Sequence, residues 1–395
     1  MALPVIRLAP EQTPRILVVD DVEDNRDLLV LRLEREGYRD IAVAEDGEAA
    51  LALLDEREFD LVLLDVMMPR LDGYQVLERL RAAGRLHELP IIVISAVSEI
   101  ESVVRCIELG AVDYLTKPFN PVVLKARVGA SLEKKRLRDE VRAHMARLAE
   151  ELDAARELQK SMVPASFPDA QQPVEIFARM EPAREVGGDL YDFFTMADGR
   201  LCFLTGDVSG KGVPAALFMA RTKNLIRLVT GFMEEAQAGT ATPDAIIRRV
   251  NRELCENNAT FMFVTLFFGI LDAASGELQY CNAGHDPPYW LNARGVERVP
   301  GGQGMALGVE ADGGYATGRL TMAPGDALYL YTDGITEAIN PQDELFAHDR
   351  LEAVLRAGAG GPLEALIGAV AEAVKGFAQS APQSDDITSM ALRLR

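Results

Sequence analysis

Long apolar runs are missing from this chain of 395 residues. Nothing approaches the roughly 20 consecutive apolar residues that a membrane-crossing helix needs, so no membrane partner is expected. The N-terminus has no basic segment leading into an apolar one, so no export signal is read there and a cytoplasmic location is expected. Cysteine is scarce. Cys106, Cys202, Cys255 and Cys281 are scattered without metal-ligand or redox spacing, which points away from a disulfide framework and toward buried thiols in a reducing compartment. Positive charge is in deficit: 41 Lys and Arg against 61 Asp and Glu leave a net charge of −20, so nucleic acid is not an expected partner.

What is present begins with Gly-Asp-Val-Ser-Gly-Lys-Gly-Val-Pro-Ala-Ala-Leu-Phe-Met at 206–219. The apolar run Leu201–Leu204 reads as a buried strand that delivers Asp207. Gly206, Gly210 and Gly212 permit a tight turn, and Pro214 suits the first turn of a following helix. A carboxylate beside such a turn can seat a metal ion, or can simply cap the helix. Three further motifs shift the balance toward metal. Asp189 stands in Glu185-Val-Gly-Gly-Asp-Leu-Tyr-Asp192, Asp333 follows the apolar run Ala327–Tyr331, and Asp385 and Asp386 precede the last apolar residues. Hard divalent cations take several carboxylate oxygens from separate segments, and two such ions can activate water for attack on phosphorus.

Residues from about 164 to 395 resemble the metal-dependent Ser/Thr protein phosphatases of the PPM type, specifically the bacterial SpoIIE/RsbU class. The matching motifs are Val-Gly-Gly-Asp (186–189), Gly-Asp-Val-Ser-Gly-Lys-Gly (206–212), Met-Phe-Val-Thr-Leu-Phe-Phe-Gly (262–269), Asn-Ala-Gly-His (282–285), Tyr-Thr-Asp-Gly (331–334) and Asp-Asp-Ile-Thr (385–388). The resemblance implies an α-β-β-α sandwich of two antiparallel sheets and two Mn²⁺ or Mg²⁺ ions. It implies Asp189, Asp207, Asp333 and Asp385 as metal-site carboxylates, with Asp386 beside them and the Val208 carbonyl as a further ligand. Eukaryotic relatives carry a histidine two residues after the aspartate equivalent to Asp207. Here that place is Ser209, which leaves the leaving-group proton to water or another group. His285 can be an acid/base or a structural hydrogen-bonding residue, and Lys211 and Arg184 are the candidates for a phosphate clamp.

Residues 15–133 alternate apolar runs with amphipathic stretches, after a patternless tail at 1–14. Ile16–Val19, Ile41–Val43, Leu61–Leu64, Ile91–Ile94 and Val112–Leu115 read as five strands of a parallel sheet covered by helices on both faces. Ligands in such α/β folds sit at the carboxyl ends of the strands, where this sequence places Asp20, Asp21, Asp65, Ser95 and Lys117. That set resembles a response-regulator receiver domain, with a flavodoxin-like fold. The resemblance implies Asp65 as phosphoacceptor and a Mg²⁺ ion held by Asp21, Asp65 and the Met67 carbonyl, with Asp20 completing the pocket. It further implies phosphoryl contacts from Lys117 and Ser95, a loop fixed by Pro118, and Tyr114 as an aromatic switch.

A long polar helix is expected between the domains, with 134–163 as a coiled-coil linker. Val141, Met145, Leu148, Leu152, Ala155, Gln159 and Met162 recur at alternating steps of four and three, with a phase slip near Leu137. The stripe fits either a two-stranded coil joining two protomers or a helix lying along its own phosphatase domain. Pro214–Val229 and Pro243–Asn257 read as amphipathic helices, Phe261–Ile270 and Leu278–Asn282 as paired strands.

Together these features predict a response regulator whose output is a protein phosphatase, loaded at Asp65 by a sensor histidine kinase or phosphotransfer protein. By family resemblance the substrate is a phosphorylated anti-sigma-factor antagonist in a partner-switching pathway that frees a sigma factor. The competing expectations are a non-catalytic adaptor and, against the acidic charge, a DNA-binding regulator.

Overall fold

The computed structural model describes residues 13–96, 100–165, 167, 172–236, 241–256, 258–301 and 303–395. Most of the expected tail at 1–14 and the helix end at Asn257 lie outside the described residues. The chain divides into two compact units between Leu148 and Ala149.

In the first unit, strands β1 (Arg15–Val19), β2 (Asp40–Ala44), β3 (Leu61–Asp65), β4 (Ile91–Ala96) and β5 (Asp113–Lys117) alternate with helices. The helices are α1 (Glu23–Arg35), α2 (Gly47–Glu56), α3 (Gly73–Ala82), α4 (Ile100–Leu109) and α5 (Pro121–Met162), the last running on past Leu148 into the second unit. The sheet order is β2-β1-β3-β4-β5 and every pairing is parallel. β1 and β3 are buried because helices cover both faces, which is why they read as unbroken apolar runs. One apolar cluster lies on each face of the sheet. Local sequence sets the helix starts: Asp46 accepts the Ala49 N–H, and Asp72 with Gln75 forms a reciprocal capping box. Strands β3 and β5 run past their apolar runs, because the ladder continues into the polar residues Asp65 and Lys117. Val112 precedes β5 rather than opening it.

The expected last receiver helix and linker are one continuous helix, α5, of 42 residues. Its start is fixed by Asn120, whose side chain accepts the Val122 N–H at 2.9 Å.

The second unit is a sandwich of two sheets. Its strands are β6 (Val174–Glu181), β7 (Leu190–Thr195), β8 (Leu201–Val208), β9 (Val264–Leu271), β10 (Glu277–Ala283), β11 (Tyr289–Asn292), β12 (Gly295–Arg298), β13 (Gln303–Gly304), β14 (Gly318–Thr321), β15 (Ala327–Tyr331) and β16 (Ile387–Leu394). One sheet runs β13-β10-β9-β8-β7 with β14 also on β10, and the other runs β12-β11-β15-β16-β6. The strand pairs are antiparallel except for short β13, which lies parallel to β10, a departure from the all-antiparallel expectation. Phe203, Phe267 and Tyr280 from the first sheet meet Ile176, Leu330 and Leu392 from the second in the central core.

Helices α6 (Val213–Ala236) and α7 (Pro243–Cys255) cover the outer face of the first sheet. Short α8 (Asp333–Thr336) leads toward α9 (Ala347–Gly358) and α10 (Leu363–Ala378), which cover the second. Helix α6 continues two turns beyond the expected end at Val229, because Met233 still packs on the core. Phe261–Phe263 do not join the expected strand: Phe261 has φ +53° and turns the chain before β9 begins at Val264. No helix among the described residues is long and apolar enough to cross a membrane.

Candidate functional site

At the carboxyl edge of the first sheet, Asp20 follows β1 and Asp65 ends β3. With Asp21 they form a group in which one carboxylate oxygen from each lies within 4.8 Å of the others. Asp20 and Asp65 are buried and Asp21 is exposed. Lys117, at the end of β5, reaches both buried acids, with Nζ at 2.6 Å from Asp65 and 2.9 Å from Asp20. The Asp65 carboxyl is raised, by burial first, against the lowering pull of Lys117. Asp20 is further braced by the Val22 N–H at 3.0 Å and the Asn25 amide. Ser95 is buried at the end of β4, beside Thr116 of β5. The Lys117–Pro118 peptide is cis. Met67 is two residues beyond Asp65, and its N–H approaches Asp65 Oδ1 at 3.4 Å. Tyr114 faces outward, with the Arg127 guanidinium 4.8 Å from its ring centre.

In the second unit, strand ends bring distant acids together. Asp189 immediately precedes β7, Asp207 is the penultimate residue of β8, Asp333 opens α8 just after β15, and Asp385 and Asp386 precede β16. Burial pushes Asp189 well above the usual carboxylate range, and the neighbouring Asp207 charge pushes it further. Asp207 is raised to about 7 by burial and then by Asp333 and Asp385, while hydrogen bonding to Asp189 opposes the rise. Asp333 is raised to about 6 by burial and then by Glu337, Asp385 and Asp286. These acids do not draw into the tight three-residue group that Asp20, Asp21 and Asp65 form.

Supporting residues divide the work among themselves. Thr332 donates its hydroxyl to Asp189 Oδ2 at 2.8 Å and accepts the Thr388 N–H, tying β15 and β16 to the Asp189 loop. Asp386 spends both oxygens on backbone amides, Oδ1 on Ala183 N–H and Oδ2 on Gly188 N–H, each at 2.7 Å. Asp385 instead faces Lys211, whose Nζ lies 3.0 Å from Oδ2 and also donates to the Ser384 carbonyl. Arg184 is exposed on the loop before Asp189. Ser209 Oγ accepts the Phe263 N–H at 2.9 Å, so this residue holds the loop before β9. His285 is buried against Thr265, its Nδ1 at 2.9 Å from Oγ1, and burial lowers it to about 4.

Comparison with known proteins gives these sites a family. The family model described as Stage II sporulation protein E (SpoIIE) matches residues 197–395, half of the chain. The chain belongs to the SpoIIE family. A second model, for the response regulator receiver domain, matches residues 16–129. Protein IcfG of Synechocystis sp. is 35% identical over 262 residues, covering 61% of this chain and 41% of that protein. The probable transcriptional regulator ycf27 of Porphyridium aerugineum is 42% identical over 123 residues, covering 31% of this chain and 50% of the relative. The chain therefore spans half or less of the length of these curated relatives. Among solved structures, the SiaA-PP2C domain of Pseudomonas aeruginosa superposes with TM-score 0.56 at 25% identity, covering 64% of this chain and 99% of that one. The molecule is thus a receiver domain joined to a SpoIIE-family domain with the PP2C-type fold.

The SpoIIE-family domain is chemically suited to the divalent ions that such phosphatases use. Its acids, with Asp189 buried and Asp207, Asp333 and Asp385 half-buried, repel one another, and among them Asp385 alone has a lysine partner. The Val208 carbonyl is kept open as well, since a Cβ on Gly188 would come within 2.7 Å of its oxygen. Sequence reasoning did not reach the roles of Thr332, Gly188 and Ser209. Thr332 and Gly188 stand inside quoted motifs, but a hydroxyl and a missing side chain carry no charge to betray a contact.

Proposed function

We propose that this chain is a two-component response regulator whose output is a metal-dependent phosphoserine/phosphothreonine protein phosphatase, controlled through Asp65. The observation that supports the reading is that Asp207, at the end of β8, feels the charges of Asp333 and Asp385 and a hydrogen bond with Asp189, acids from three other segments of a SpoIIE-family domain. With the Val208 carbonyl, these carboxylates would hold two Mn²⁺ or Mg²⁺ ions, which when bound supply a nucleophilic hydroxide and neutralise phosphoryl charge. Asp386 serves by fixing the Gly188 amide, and Thr332 by orienting Asp189. Lys211 holds Asp385 in place. Burial lowers His285 to about 4 and encloses it, so the departing serine or threonine oxygen takes its proton from water or another group.

In the receiver, the Asp65 carboxylate would attack the phosphorus of a phosphohistidine on a sensor kinase or phosphotransfer protein. The P–O bond forms as the P–N bond breaks, giving an aspartyl phosphate. Lys117 stands where it can follow the transferred group, and Ser95 lies at the same strand edge to donate a hydroxyl. Mg²⁺ would be held by Asp21, Asp65 and the Met67 carbonyl, with Asp20 beside them. Tyr114 would turn inward on phosphorylation. Phosphorylation then shifts the population between two arrangements of receiver and linker.

Two finer statements belong to the same reading. The substrate is a phosphorylated anti-sigma-factor antagonist, by resemblance to the SpoIIE/RsbU class. The protomer pairs through α5, where Val141, Met145 and Leu148 form an exposed apolar stripe at coiled-coil spacing. The setting is cytoplasmic, with neither nucleic acid nor membrane as partner.

Phosphate release from an aryl phosphate and from a phosphoserine protein tests the activity. Release that requires Mn²⁺ or Mg²⁺, stops with a chelator and is abolished in Asp207→Ala is the expected result. Release no greater in wild type than in Asp207→Ala would leave a non-catalytic adaptor that sequesters its partner.

A further inference from the structure

Gln159 interrupts an otherwise apolar stripe on α5. Upstream, Met145 is 66% exposed and Leu148 58%, whereas Gln159 is only 4% exposed. Its Nε2 donates to the Gly187 carbonyl at 2.6 Å, and its Oε1 accepts the Gly187 N–H at 3.1 Å. The Gly187 donor and acceptor define which way the amide points, since the reverse orientation would oppose like groups. Burying a polar, flexible side chain costs desolvation and rotamer entropy, and both are offset here by satisfying one backbone residue twice.

That residue sits at a sensitive place. Gly187 and Gly188 lie in the link before β7, the N–H of Gly188 is held by Asp386, and Asp189 comes next. A two-point hold fixes both the position and the tilt of the Gly187 peptide. The same segment of chain is tied again where the Tyr191 hydroxyl donates to the Pro164 carbonyl at 2.9 Å, two residues beyond the end of α5. A displacement of α5 by one residue rise, about 1.5 Å, would carry both Gln159 bonds out of hydrogen-bonding range.

We propose that Gln159 is a positioning residue through which the linker helix sets the Gly187–Asp189 loop, so that the placement of α5 governs how Asp189 meets Asp207. The proposal rests on the phosphatase reading and names how that site is regulated.

The test compares full-length wild type, Gln159→Leu and Gln159→Glu. Leucine removes both bonds, while glutamate can accept the Gly187 N–H but cannot donate to the carbonyl. Folding is checked by thermal melting, and a leucine variant that does not fold hands every reading to the glutamate variant. In the folded variant, hydrogen exchange at Gly187–Asp189 and the half-saturation for Mn²⁺ by calorimetric titration should each rise about tenfold, the scale on which residues behind metal ligands act. The ratio of phosphate release with and without acetyl phosphate should fall toward one. Unchanged exchange and Mn²⁺ binding in a folded variant would overturn the proposal. Both are read without turnover, so an inactive wild type would defeat the phosphatase reading and leave this result separately interpretable.

Discussion

Arg227 holds Asp192 through both carboxylate oxygens, with Nε at 2.5 Å and an Nη at 2.7 Å. The carboxylate is fully buried, and Lys223 adds a second cation at 3.3 Å. This fork binds α6 to β7, the strand that begins one residue after Asp189. Removing one partner of a buried ion pair leaves the other desolvated without compensation. Here Lys223 remains and the guanidinium is partly exposed, so the loss should be moderate. Arg227→Ala is expected to lower stability by about 2 kcal/mol, and Arg227→Lys by about half that, because lysine keeps charge but not the fork. Urea unfolding at neutral pH measures both.

The raised acids give the metal-free protein a distinctive pH dependence. Asp207 titrates near 7 in the folded chain, well above an ordinary aspartate. Between about pH 4 and 7 the folded state therefore binds more protons at this group than the unfolded state, and its contribution to stability falls as pH rises. Asp207→Asn removes that contribution. In the presence of a chelator the variant should gain on wild type as pH rises from 4 to 8, by about 2–3 kcal/mol at the upper end. Added Mn²⁺ should reverse the ranking, because the wild type alone keeps the full ligand set. Paired thermal melts across pH, with and without Mn²⁺, check both signs.

Legibility followed chemistry and burial. The five receiver strands could be read because helices cover both sheet faces, so Leu17–Val19 and Leu61–Leu64 carry no polar interruptions. Their sequence order with the intervening helical patterns was enough to indicate a parallel sheet. The candidate acids were legible for a related reason: charge at the end of an apolar run is conspicuous. The Phe261 turn was not, since Phe261 and Phe263 look like strand residues and only the backbone reveals the break. The extension of α6 past Val229 was also hidden, because Gly231 disfavours a helix on its own while Met233 continues the packing. Least legible was Gln159, whose place in the heptad stripe was plain while its partner, a glycine backbone 28 residues away, left no mark on the pattern.

Gly188 should be intolerant of even one methyl group. A Cβ there would meet the Val208 carbonyl oxygen at 2.7 Å and Ala215 Cβ at 3.4 Å. The backbone cannot retreat freely, because its N–H is committed to Asp386. Gly188→Ala is expected to cost about 2 kcal/mol by overpacking and to lower Mn²⁺ affinity by about tenfold. Gly210→Ala is the contrast: its φ of +89° strains a side chain, yet nothing lies within 4 Å of the new Cβ. That variant should lose about 1 kcal/mol of stability while leaving Mn²⁺ affinity near wild type. Calorimetric titration of the two variants separates crowding at the Val208 carbonyl from backbone strain.

The stripe on α5 makes the dimer a quantitative matter. Val141, Met145 and Leu148 are 60%, 66% and 58% exposed in the single chain, and they recur on one side of the helix. Burying such side chains in a coiled-coil seam contributes about 1.5–3 kcal/mol each, whereas isolated exposed apolar residues need no explanation. A charge in that seam would have to be desolvated or force the helices apart. Met145→Glu with Leu148→Glu should therefore shift the full chain from dimer to monomer in sedimentation velocity, with little change in the circular dichroism of α5. If wild type already sediments as a monomer at the same concentration, the stripe is not a seam. Retained dimers in the double variant would place the contact elsewhere on the molecule, and either outcome removes the pairing of α5 from the mechanism.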